Sequence, residues 1–192
     1  MESPMSDRAA HAAAQWRRER QDIDPVPMEI LGRLAEAASV IGRDYLGPLF
    51  VRFGLHPGEF DVLATLRRSG SPYMLSPTAL YESAMISSGG MTNRLDRLEK
   101  AGLIGRHPHP TDRRGTLVAL TPAGLSLIED LLPRHVENER AVLASLSPAD
   151  QADLNRLLEK LLAGLPPPPD GGDAPGRHPV SARGKSGKGA RP

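Results

Sequence analysis

Cysteine is absent from the 192-residue chain. That excludes disulfides, thiolate metal centres and any cysteine-based redox sensing or nucleophilic catalysis. Aromatic residues are scarce as well: one Trp, three Tyr and three Phe, so the core has to be aliphatic and Trp16 is the sole indole. No apolar run approaches the roughly 18 residues of a membrane helix. The opening stretch MESPMSDRAAHAAAQWRRER also lacks the apolar core of a signal peptide, so a cytoplasmic location is expected. Neither charge dominates, with 24 basic and 23 acidic residues and a net charge of +1.

That average hides a gradient. Residues 166–192 hold five basic and two acidic residues, for +3, leaving −2 on the rest. The same segment contains seven of the 19 prolines and six of the 19 glycines. With almost no large apolar side chains it cannot offset its own ordering entropy. Disorder is expected over 1–7 and 166–192, with one folded unit over 8–165.

Helical signals fill that unit. An Ala-rich helix carrying Trp16 is expected over about 8–20, and Pro25 and Pro27 break the chain after it. Leu31, Leu34, Ala38, Ile41 and Tyr45 then recur at spacings of three and four, predicting one helix from Met28 to about Phe53. Helices follow over 57–68 and from Pro77, behind the N-cap Ser76, to about Ser83. After the turn ISSGG, Met91, Leu95 and Leu98 mark a helix that Gly102 stops. LIGRH and TLVAL flank the turn-rich PHPTDRRG as a hairpin. Two more helices open at Thr121-Pro122 and Ser147-Pro148, the last with a wide Leu stripe.

This order predicts a mainly α fold with a small β-hairpin wing: a winged helix-turn-helix with N- and C-terminal dimerisation helices. The winged core is expected over about 57–121, and the dimerisation helices over about 8–53 and 122–163. The outer helices are more apolar than a monomer of this size requires, and a homodimer interface is their plainest use.

The helix after the turn is the candidate recognition helix for double-stranded DNA. With Met91, Leu95 and Leu98 turned inward, Gly90, Asn93 and Arg97 fall on the opposite face beside Thr92, preceded by Ser88. Asn and Arg are the side chains that pair bidentately with adenine and guanine edges. Arg113 and Arg114 at the hairpin tip have the form of an arm for a minor groove. Residues 89–115 carry six basic and three acidic residues, concentrating positive charge where the fold would meet phosphate. Arg94 borders the buried stripe, and Asp61 is a candidate partner, but spacing leaves open whether both are simply solvated. Trp16 reads first as a packing residue. His107, His109 and His135 do not make a zinc pattern, since prolines flank the first two and no carboxylate falls at ligand spacing. Nucleophile elbow, phosphate loop and metal-catalytic motifs are all missing, so neither an enzyme nor a cofactor is expected.

The run SPTALYESAMISSGGMTNRLDRLEKAGLIGRHPHPTDRRGTLVALTPAG resembles the winged-helix core of the MarR family of transcriptional regulators. QWRRERQDID, EFDVLATLRRSGSPYMLSP and HVENERAVL extend the resemblance to the urate-responsive PecS/HucR-like branch, over about residues 13–163. In that branch a Trp, an Asp and two Arg carry the ligand response. The resemblance assigns those roles to Trp16, Asp61, Arg94 and Arg106. It implies a homodimeric repressor on a pseudo-palindromic operator, released by a small anionic effector such as urate. Other branch members answer to hydroxylated pyridine carboxylates or tricarboxylates. On this reading, Asp61 and Arg94 or Arg106 neutralise one another in the empty site. The alternative in another class is a constitutive DNA-binding or architectural regulator with no ligand site.

Overall fold

The protein, seen in a computed structural model, is described over residues 7–84, 90–111 and 115–166. Helix α1 (Arg8–Glu19) starts at Asp7, whose side chain accepts from the Ala10 backbone N–H at 2.9 Å. Asp7 also pairs with Arg33 at 2.8 Å, and Arg33 reaches Glu29 at 2.6 Å. Asp7 therefore belongs to the fold, although it was expected in the disordered N-terminus. A capping acceptor three residues before an orphan N–H and a guanidinium on the next helix together fix it. These contacts lay α1 along α2 (Val26–Val40), with Ala13 buried.

The helix expected from Met28 to Phe53 is interrupted. Between α2 and α3 (Gly47–Arg52) the chain widens into a π-helical segment, Ile41–Leu46. Pro48 has no N–H to donate, and its ring crowds the carbonyl one turn back, so the turn before it opens. The Gly47 N–H then bonds Gly42 O. Asn138, far along the sequence, donates its side-chain amide to Tyr45 O at 2.7 Å, tying the widened turn down. A single proline within an otherwise strong helical period concealed this feature.

The winged core follows. Helix α4 (Pro57–Arg68) begins with a capping box between His56 and Glu59, and α5 (Pro77–Ser83) with Ser76 accepting from Ala79 N–H at 3.1 Å. Helix α6 (Met91–Lys100) runs into strand β2 (Ile104–Pro108), which pairs antiparallel with β3 (Thr116–Leu120). A two-residue strand β1 (Met74–Leu75) adds to the far edge of β3, giving the order β1-β3-β2. Too short and too tightly bracketed by prolines, it gives no alternation to detect.

Val62, Leu63, Leu66, Leu80, Met91, Leu95, Leu98, Ile104, Val118, Ile128 and Leu131 are buried in one cluster beneath these elements. Helix α7 (Pro122–Val142) is seated on it through Thr121, which donates to Gly102 O at 2.7 Å and accepts from Gly124 N–H at 3.0 Å. Position 124 must be glycine, because a Cβ there would lie 2.9 Å from the Leu103 carbonyl carbon.

The last helix, α8 (Pro148–Ala163), buries no residue of its own. Leu154, Leu157, Leu161 and Leu162 on it are exposed, as are Met28, Ile30, Leu31 and Leu34 on α2. Among the described residues no helix is long and apolar enough to cross a membrane.

Candidate nucleic-acid interface and ligand site

Helix α6 sorts its residues by face. Met91, Leu95 and Leu98 are buried, while Gly90, Thr92, Asn93 and Arg97 are exposed. Gly90 opens the helix at φ 82° with no side-chain cap, and the first turn carries no acid. Among the described residues no acid in that turn offsets the positive end of the helix dipole, which lies beside small side chains that admit a phosphate. On the wing, His109 N–H bonds Gly115 O at 2.9 Å and closes the described part of the hairpin. Ser88, Arg113 and Arg114 lie outside the described residues.

Arg97 has a partner that spacing did not reveal. Its Nε lies 3.0 Å from Oε1 of Glu59 on α4, with the carboxylate 5% exposed and the guanidinium side chain 58% exposed. Glu59 Oε2 meanwhile accepts from the His56 backbone N–H at 2.8 Å. The PGEF run does signal a helix start with an acid in its first turn. Nothing local says that this acid also grips another helix.

The four residues assigned by resemblance are distributed as follows. Arg94 is half-buried against the first turn of α4, where a Cβ on Gly58 would come within 3.0 Å of Cζ and 3.1 Å of Cδ of its side chain. Asp61, also half-buried, follows Gly58 by three residues and so lies one turn along the same side of α4. Trp16 is 40% exposed on α1, and the shallow depression around it is lined by Gln15, Arg18 and Glu19.

Arg106 departs from expectation. Its Nη2 pairs with Asp96 at 2.6 Å and its Nη1 with Glu99, both on α6. The hydrogen bond with Asp96 holds its pKa above the already high ordinary value. Asp61 is therefore not what neutralises Arg106. The cause is register: β2 follows α6 after a tight turn, bringing strand position 106 beside the acids of the last two helical turns.

Two further features were not anticipated. Phe50 and Phe60 stack at 4.5 Å, and the His135 ring lies 4.4 Å from Phe60, next in sequence to Asp61. His107 and His109 sit on and beside the wing strand, so the three histidines belong to different elements. A cleft of about 650 Å³ between the π-helical segment, α3 and α7 is lined by Tyr45, Arg52, Phe53, Arg134 and Asn138, among others.

Residues 55–116 match the family model described as the MarR family. The HTH-type transcriptional regulator PecS of Dickeya dadantii is 42% identical over 147 residues, covering 77% of this chain and 88% of its own. The chain belongs to the MarR family. Within it, the chain falls in the PecS-like branch. The multiple antibiotic resistance protein MarR of Salmonella typhimurium is 35% identical over 121 residues, which is 62% of this chain and 79% of that one. Among solved structures, a MarR family regulator from Streptomyces coelicolor in complex with DNA, Sco3205, aligns with a TM-score of 0.65 at 27% identity. It covers 74% of this chain and 89% of its own. A mutant MarR from E. coli complexed with operator DNA gives 0.62 at 28% identity, over 69% and 93%. This MarR-family chain is a DNA-binding transcriptional regulator with the winged-helix fold, and its relatives are regulators rather than enzymes.

The seat of Arg94 yields a direct test. Gly58→Ala fills the space under the side chain, and the flexible end of Arg94 can move away without disturbing the core. Thermal unfolding should stay within a few degrees of wild type. Affinity for upstream DNA should fall about tenfold, equivalent to about 1.4 kcal/mol. Unchanged DNA affinity would mean that this contact does not help to hold α6.

Proposed function

We propose that this regulator is a cytoplasmic homodimeric repressor, released from a pseudo-palindromic operator by a small anionic aromatic ligand of the urate type. One observation carries the reading: the candidate recognition helix sends a half-buried arginine, Arg94, onto the turn of α4 that leads to Asp61. A ligand at that junction acts on the DNA-facing helix without touching DNA.

The electrostatics have a definite sign. An anion entering beside Asp61 is repelled by that carboxylate and attracted by Arg94, so it draws Arg94 from its seat against α4. Arg106 responds less readily, since an anion reaching it must compete with Asp96 and Glu99. Trp16 supplies a flat face for stacking an aromatic ring. The ligand moves the helix only as far as it binds the displaced arrangement more tightly than the seated one. Hydroxylated pyridine carboxylates and tricarboxylates offer the same negative edge. On the DNA side, Ser88, Gly90, Thr92, Asn93 and Arg97 form the groove-facing set, with Arg113 and Arg114 at the wing tip. A second reading, a constitutive regulator with no ligand site, is favoured by the fact that Arg106 already holds two carboxylates.

The two readings part in one titration. Urate added to the complex with the gene's upstream DNA should release it and quench the Trp16 emission at the same concentrations. Asp61→Asn removes the repelled charge, so it should keep the quench and weaken the release. Arg94→Ala should lose the quench. Should no purine or pyridine acid affect either signal, the constitutive reading stands.

Dimerisation rests on the uncovered apolar faces of α2 and α8. Because Leu157 and Leu161 are 53% and 39% exposed, charging them does not disturb the monomer's own core. Leu157→Glu with Leu161→Glu should therefore give folded monomers by light scattering, with retained helical circular dichroism. A dimer of normal mass would remove α8 from the interface.

A further inference from the structure

Burial in the Glu59–Arg97 pair is one-sided. The carboxylate is almost wholly enclosed and is fixed at its own end by the His56 N–H, while more than half of the guanidinium side chain faces solvent. Such a pair is a weak fastener between α4 and α6, since one charge is desolvated while the exposed guanidinium contributes little to stability. Among the described residues Glu59 is the only acid paired with Arg97, and the contact is made through Nε. A carboxylate on the Nε side limits the swing of the guanidinium and leaves the outer N–H groups of Nη1 and Nη2 as an end-on fork. Asn93 lies one turn before Arg97 on the same exposed side of α6.

We infer that Glu59 is a positioning residue for DNA recognition: it holds Arg97 by Nε so that the Nη fork is presented, already oriented, to a paired acceptor on the duplex. A free arginine loses its rotamer freedom on binding. This one has lost most of it beforehand, so less is lost for each hydrogen bond formed. The fork matches either the O6 and N7 edge of a guanine or two oxygens of one phosphate. Glu59 is thereby coupled to DNA without touching it. The inference rests on the reading that the exposed side of α6 faces DNA, and the experiment separates the two.

Affinities of the full-length chain for its upstream DNA and for a random duplex of equal length are measured across a KCl series. The variants are Glu59→Gln, Arg97→Ala, the double variant and Arg97→Lys. Gln retains an oxygen for the His56 N–H, so melting temperature is followed alongside to confirm an intact fold. Glu59→Gln and Arg97→Ala should each weaken binding to upstream DNA about tenfold, and the double variant no further. A loss confined to the upstream DNA assigns the fork to a guanine edge. An equal loss on both duplexes, with a salt slope shallower by about 0.9, assigns it to a phosphate. Arg97→Lys keeps the charge but has no fork, so it should weaken binding as much as Arg97→Ala at a guanine edge and by a smaller but measurable factor at a phosphate, which tests the inference even if Glu59→Gln fails to fold. Wild-type binding by Glu59→Gln beside a weakened Arg97→Ala, additive losses in the double variant, or wild-type binding by Arg97→Lys would each overturn the positioning role. Wild-type binding by Arg97→Ala on both duplexes would instead overturn the placement of α6 against DNA, and the inference with it.

Discussion

The first turn of α4 is where charged side chains of α6 meet the winged core, giving direction to a helix that apolar packing holds. Glu59 takes Arg97 through Nε, and Gly58 leaves the space in which Arg94 lies. The apolar stripe of α6 sets its depth in the core, but aliphatic side chains are non-directional and tolerate small slides and rotations. Guanidinium contacts are directional and fix what the stripe leaves free. They can also be contested by another anion, which a buried leucine cannot be. On the proposed mechanism, this combination places α6 firmly yet leaves it open to displacement by a small anion.

Arg106 extends the arrangement to the wing. By pairing with Asp96 and Glu99 it joins β2 to the outer side of α6, so strand and helix are linked by charge as well as by the turn between them. Its two carboxylates also keep positive charge on the wing from being available to every passing anion. The uncovered leucines of α8 and the apolar side of α2 belong to a separate layer. Their exposure in a single chain is intelligible if a second copy covers them, and two-fold symmetry then sets two recognition helices against a palindromic site.

Much of the fold was legible in the sequence because its signals are local. Ser76-Pro77, Thr121-Pro122 and Ser147-Pro148 mark helix starts to within a residue, and Gly102 marks a stop, since a cap needs only its immediate neighbours. The π-helical segment was hidden by Pro48, whose effect falls on the turn preceding it. The Glu59–Arg97 and Arg106–Asp96 pairs were hidden because ion pairing between elements depends on how they pack, which hydrophobic period does not encode. The ligand roles of Trp16, Asp61, Arg94 and Arg106 came from resemblance alone; of these, Arg94 lies against the first turn of α4 and Asp61 one turn further along it.

On the proposed mechanism an anion shifts α6 relative to the rest of a homodimer, and the absence of cysteine makes that shift measurable. Lys100→Cys introduces one thiol per chain at the end of α6, so a spin label there gives a single distance across the dimer. Adding urate should change that distance in an otherwise wild-type background and leave it unchanged when Arg94 is replaced by Ala. Release of DNA by urate with no change in the distance would contradict the account.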